Sequence, residues 1–204
     1  MREPVLSDKL TRILSSTRWF HATTKSNYKN ILSNGIICDY NRYGELDFGF
    51  GFYLTTTGKL AESYITRLLS WQGENLNDPP VILEYELSPI TWFTGNEYRC
   101  AIFPFFDDDF ANFVLNNRLN CRDGQQHHNY DAIYGVMSDS TPTVLLLKYR
   151  AGEITFEEVI QGLKKENSMK QLSIHNQNLC DTLALVGAYE YNMVNRERKE
   201  LSVS

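Results

Sequence analysis

The 204-residue chain carries a formal net charge of −5 and is 42% hydrophobic and 13% aromatic. That is enough apolar material for one globular domain over 1–204, burying roughly 70% of its unfolded surface, and no stretch reaches the ~20 apolar residues that span a bilayer. The acidic balance and the lack of any long Lys/Arg run exclude broad affinity for a phosphate backbone, while a local groove for one strand stays compatible with them.

The N-terminus MREPVLSDKL lacks the apolar core of a secretory signal, so the expected location is cytoplasmic, with no membrane partner. Cys38, Cys100, Cys121 and Cys180 show no CxxC spacing and are expected as free, buried thiols. Residues 7–17, SDKLTRILSST, place Leu10, Ile13 and Leu14 at helical spacing behind Ser7 as N-cap. RWFHA is a short strand. The stretch 24–37, TKSNYKNILSNGII, predicts a helix capped by Ser26, with Tyr28, Ile31 and Leu32 on one face, a stop at Asn34-Gly35 and a return to strand.

A polar, Gly-punctuated loop over 38–50 leads into a strand at 51–55, GFYLT, and an amphipathic helix over 58–71. After a loop over 73–80, the alternation of VILEYEL (81–87) marks a half-buried strand. Three acids, Asp107 to Asp109, open a helix over 107–119, where their charge suits the N-terminus better than a cation site. Residues 130–137 are strand-like, and 143–150, TVLLLKYR, fit strand or helix equally on periodicity. A helix follows over 155–165, with Thr155 and Glu158 as a capping box. KQLSIHN (170–176) is a strand, and NLCDTLALVGAYEYNMVNRERK predicts a final helix fraying into a charged tail over 191–204. No internal repeat and no low-complexity segment occurs.

Chemistry-bearing residues concentrate in three places. His21 ends the first strand; it fits a core histidine or a ligand contact. FGFGFYLTTT (48–57) interleaves aromatics with Gly49 and Gly51, which allow a sharp turn or the close approach of a flat ligand. Tyr53 on a strand and Tyr64 on the next helix bring two rings within converging distance, either as core filler or as ligand walls. Gln171 begins the late strand. Glu84 and Glu86 read as a solvated strand face or as substitute acids. Adjacent His127 and His128 point in different directions and have no Cys, Asp or Glu at ligand spacing, which argues against a metal.

WFHATTKSNYKNILSNGI, FGFGFYLTTTGKLAESY and QLSIHN, in that order, resemble the three motifs of ADP-ribosyltransferases of the diphtheria-toxin and poly(ADP-ribose) polymerase type. YDAIYGVMSD and TFEEVIQGLKK extend the likeness, over about 18–190, to a bacterial family of uncharacterised domains in the same superfamily that often has Gln where others have Glu. The resemblance implies an α+β fold with a split, mostly antiparallel pair of sheets, and NAD as co-substrate. It also implies mono-ADP-ribosyl transfer to a macromolecular acceptor, protein or RNA. The acidic balance favours protein, whereas an exposed aromatic such as Tyr43 or Trp71 beside the cleft suits stacking a base, as single-strand binders do.

On the same footing, His21 would bond the adenosine ribose, the backbone at Ala22 the carboxamide, Gly51 would lie against the ligand, Tyr53 and Tyr64 would enclose the nicotinamide, and Gln171 would meet the reacting ribose. The chain departs from the family pattern in Ala22, where relatives have Gly, in Ala61, where some have Ser, and in Gln171, where most have Glu. A neutral amide keeps the hydrogen bond and loses the charge, which favours single transfer over chain elongation. A toxin of a toxin–antitoxin or phage-defence system, with an antitoxin partner, is the expected setting; a non-catalytic NAD or ADP-ribose sensor is the alternative.

Overall fold

The computed structural model describes residues 14, 18–72, 78–87, 98–138, 141–163 and 169–203. The helix expected over 7–17 lies outside them except for Leu14, which is helical and buried. Strand β1 (Trp19–Thr24) starts at a Trp that is 0% exposed, and helix α1 (Lys25–Asn34) follows directly. Ser26 is not its cap: Asp78 reaches across from another segment and accepts from Ser26 N at 2.7 Å and Ser26 Oγ at 2.6 Å. Gly35 ends the helix at φ 75°, a left-handed conformation that glycine adopts without Cβ strain, and its N–H bonds Ile31 O. No strand follows it; Ile36 is buried instead and its carbonyl accepts from Gln177 Nε2.

Strand β2 (Phe52–Thr55), helix α2 (Gly58–Gln72) and strand β3 (Pro80–Leu87) match the pattern in the sequence. β3 is buried on both faces up to Leu83 and alternates only beyond it, because α2 packs Ala61 and Ile65 against Ile82 while Val81 and Leu83 join the opposite core. Each such fully buried Ile or Leu contributes roughly 2 kcal/mol. Strand β4 (Cys100–Phe103) has no counterpart in the sequence reading. Helix α3 (Asp108–Asn120) is capped by Asp107, which accepts from Phe110 N at 2.9 Å. Strand β5 (Ala132–Val136) precedes helix α4 (Thr141–Arg150), which resolves the ambiguous 143–150 as helix. Helix α5 (Phe156–Leu163) carries the expected capping box: Glu158 Oε2 accepts from Thr155 N at 2.7 Å, and Thr155 Oγ1 from Glu158 N at 3.2 Å.

After strand β6 (Lys170–Ile174) and a single helical turn α6 (Gln177–Cys180), the expected final helix is replaced by strand β7 (Leu183–Tyr191) and strand β8 (Arg198–Glu200). LALVGAYEY is rich in helix formers, but its pairing along β3, from Val81↔Glu190 to Leu87↔Leu183, buries Ala188, Tyr189 and Tyr191 and overrides that propensity. The tail docks as well. Leu201 N donates to Ala188 O, Tyr28 Oη donates to Ser202 O, and Leu201 and Val203 pack on the main core.

The architecture is α+β; among the described residues the helices α1 to α6 accompany one eight-stranded sheet, β4-β5-β6-β2-β1-β3-β7-β8, in which the β4–β5 pair is parallel and every other registered pair antiparallel. The expected pair of sheets is therefore one continuous sheet, yet its two four-stranded halves meet at β1 and β2 through a single registered pair, Phe20↔Thr55. His21 spans the gap beside that pair: its Nδ1 bonds Tyr53 O at 2.8 Å, a side chain standing where a ladder bond would otherwise be. No helix among the described residues is long and apolar enough to cross a membrane.

Candidate functional site

Where β1 and β2 part, a cavity of about 660 Å³ opens, lined by His21 and Ala22 from β1, Tyr53 from β2, Ala61 and Tyr64 from α2, and Gln171 from β6. Its volume lies within the roughly 300–1,000 Å³ of small-molecule sites. A second, smaller cavity of about 80 Å³ adjoins it and shares His21, Thr23, Asn27, Tyr40 and Asn41.

His21 stacks on Phe52 at 4.2 Å between centroids. Because Tyr53 O only accepts, Nδ1 must be the protonated nitrogen, which leaves Nε2 as an acceptor. Burial lowers its pKa to about 4, so the ring is neutral at physiological pH. Tyr53 has its hydroxyl fully engaged: Oη donates to Gly49 O at 2.7 Å and accepts from Phe48 N at 3.0 Å. Burial, and then the negative Asp47, raise its pKa well above the usual phenol range. The ring is thereby held as a fixed, uncharged wall. Tyr64 is 38% exposed at the rim, and burial of its hydroxyl end also raises its pKa.

The glycines serve the protein's own packing. A Cβ on Gly51 would lie 2.6 Å from both His175 Nδ1 and Ile174 O, so the close approach that demands glycine is made by β6 and its histidine, and Gly51 lines the smaller cavity instead of the main one. Its backbone N and O are both held by the Asn41 amide at 2.9 Å. Gly49 sits at φ 77° beside Gln126. The carbonyls of 48, 49 and 50 each take a side-chain bond, from His128 Nε2, Tyr53 Oη and His175 Nδ1.

The cleft floor is a polar cluster that the sequence reading missed. Asp47 and Arg118, both 7% exposed, form an ion pair in which Asp47 Oδ1 accepts from Nη2 at 2.6 Å and Nε at 2.9 Å. Asp47 Oδ2 accepts from Ser138 N at 3.1 Å, from Ser138 Oγ, and from Gln171 Nε2 at 3.2 Å. A signal for Asp47 lay in its position directly before FGFGFY, which Phe48 anchors by packing among Phe103, Phe110 and Phe113. Arg118 stood out only as a charge one helical turn beyond the apolar Val114 and Leu115.

The remaining candidates lie elsewhere. Glu84 and Glu86 pair with Arg18 on the sheet surface and do not line the cavity. His127 Nε2 faces Asp123 and Asn120 O, whereas His128 turns to Phe48 O. Tyr43 is 71% exposed, and the Trp71 side chain lies outside the described residues. All four cysteines are free and buried. Neither a curated protein nor a solved structure matches the chain. Residues 36–185, most of the chain, match a family described as "Protein of unknown function (DUF3990)", and the chain belongs to that family.

Proposed function

We propose that the cleft binds NAD and that the protein transfers ADP-ribose from it to a macromolecular acceptor. The observation that carries this reading is the convergence of His21, Tyr53, Tyr64 and Gln171, from four separate elements, on one cavity of ligand size. The chemistry of the lining suits the substrate. Two aromatic walls offer faces to a flat cationic ring, the neutral imidazole offers Nε2 to a sugar hydroxyl, and Gln171 offers an amide oxygen to a second one. Arg67 also lines the cavity, and its positive charge suits the diphosphate.

In the proposed step the bond between nicotinamide and ribose breaks, and its electron pair leaves with nicotinamide, which becomes neutral. The acceptor's nucleophile takes the vacated ribose carbon and releases a proton to water. The residues hold the sugar and ring in the geometry that this requires. Labelled NAD incubated with cell lysate, then divided by protease and RNase sensitivity, tests the reading and sorts protein from RNA acceptors; label in neither fraction counts against transfer. Growth arrest on expression, lost in His21→Ala and Tyr53→Ala, tests the toxin setting, which rests on analogy.

A second reading is favoured by one observation, the neutral amide at position 171: binding of NAD or ADP-ribose without cleavage. Calorimetric binding with no nicotinamide released supports it.

A further inference from the structure

We infer that Asp47 is the positioning residue of the cleft, fixing Gln171 so that its NH₂ is spent on the floor and its carbonyl oxygen is the part left for a ligand. This rests on the reading above only for the ligand's identity. Gln171 is 6% exposed, and its Nε2 donates to Asp47 Oδ2 at 3.2 Å and to Val136 O at 3.4 Å. Both neighbours are acceptors. The reversed amide would set Oε1 against two oxygens, so the partners themselves fix which end is the donor.

The same geometry accounts for glutamine where most ADP-ribosyltransferase-like chains have glutamate. An ionised carboxylate at 171 has no hydrogen to give to Asp47 or to Val136 O, and it would place two negative groups in contact within a buried floor. The negative charge of this site therefore sits one hydrogen bond behind residue 171, on Asp47. Asp47 in turn is held by Arg118 and by Ser138, so its carboxylate cannot swing away. The other titratable or charged groups facing this floor are Tyr53 from β2 and Tyr64 and Arg67 from α2; Glu45, on Asp47's own loop, is paired with Arg150 from α4.

Gln171→Glu, with Gln171→Met as the uncharged control, tests the pairing without any ligand. In Gln171→Glu the introduced carboxyl needs a proton to serve as donor, so the folded state holds that proton more tightly than the unfolded chain does. Stability is then lost as pH rises. The melting-temperature deficit against wild type should widen from pH 5 to pH 8 in Gln171→Glu and stay constant in Gln171→Met. Adding Asp47→Asn to Gln171→Glu should remove the widening. A deficit in Gln171→Glu that does not depend on pH overturns the inference. Should Gln171→Glu not fold at any pH, recovery of folded protein in the double variant supports the inference and its failure to recover overturns it.

The second arm uses NAD as the probe, with nicotinamide release and calorimetric affinity as readouts. Asp47→Asn should slow release at least tenfold while affinity changes less than threefold, and Gln171→Glu should regain rate as pH falls. Asp47→Asn releasing nicotinamide at the wild-type rate overturns the positioning role. If wild type neither binds nor cleaves NAD, the functional reading falls, and the melting experiment still decides the role of Asp47.

Discussion

Two sets of half-buried histidines lie close to the same glycine-rich turn and have opposite surroundings. Behind the turn, His175 and His128 have both ring nitrogens engaged: His175 by Phe50 O and Ser173 Oγ, and His128 by Phe48 O and Tyr130 N. In front of it, His21 uses one nitrogen on Tyr53 O and has no described partner for the other. All three have lowered pKa values, chiefly from burial, so perturbation alone does not separate them. What separates them is the second ring nitrogen: that of His21, which lines the cavity, has no described partner, and the proposed function makes it the ligand contact and the other two braces.

The sharpest way to break this contrast is to remove one residue from each side. His21→Ala is expected to lower nicotinamide release at least ~100-fold, about 2.7 kcal/mol of barrier, while costing about 1 kcal/mol of stability. His175→Ala should do the reverse. It removes one hydrogen bond from each of Phe50 O and Ser173 Oγ and is expected to cost about 2 kcal/mol in urea unfolding, with NAD affinity changed only a few-fold. Equal losses of function and stability in both variants would erase the distinction.

Acid titration sharpens it further. His21 and His175 have folded pKa values lowered from 6.5 to about 4 and about 3. Between about pH 4 and pH 6.5 the unfolded chain binds protons that the folded state refuses, so stability is fully present above 6.5 and falls as pH drops. His175→Gln should reduce that slope by roughly 1.4 kcal/mol per pH unit at most, less in proportion to the ring's partial exposure. Urea midpoints across that range measure it. The smallest effect belongs to the surface: Arg18 is half-exposed where it meets Glu84 and Glu86, and Arg18→Ala should change unfolding free energy by less than about 1 kcal/mol.

Local rules made much of the fold legible. Thr155 and Glu158 specify a helix start whatever surrounds them, and Asn34-Gly35 specifies a stop, because each acts on backbone groups within one turn. The failures came where distant partners decide. Leu183–Tyr191 has a helical composition and becomes a strand because β3 offers it an edge, and β4 is short enough that only its pairing with β5 defines it. At the site, the aromatic and histidine residues were visible through motif order. Asp47, Arg118 and Ser138 were not, since no spacing joins three residues brought together from a loop, a helix and the end of a strand. Gly51 was singled out as a constrained position, and the neighbours that a Cβ there would meet are His175 and the Ile174 carbonyl.

The floor bond between Asp47 and Gln171 joins residues 124 apart in the chain. During synthesis the walls contributed by β1, β2 and α2 are made long before β6, and until that strand inserts beside β2 the floor lacks Gln171. The cleft described above is therefore complete only when the late strand is in place. Contacts of this span also slow folding, so the complete cleft is a late product of the chain.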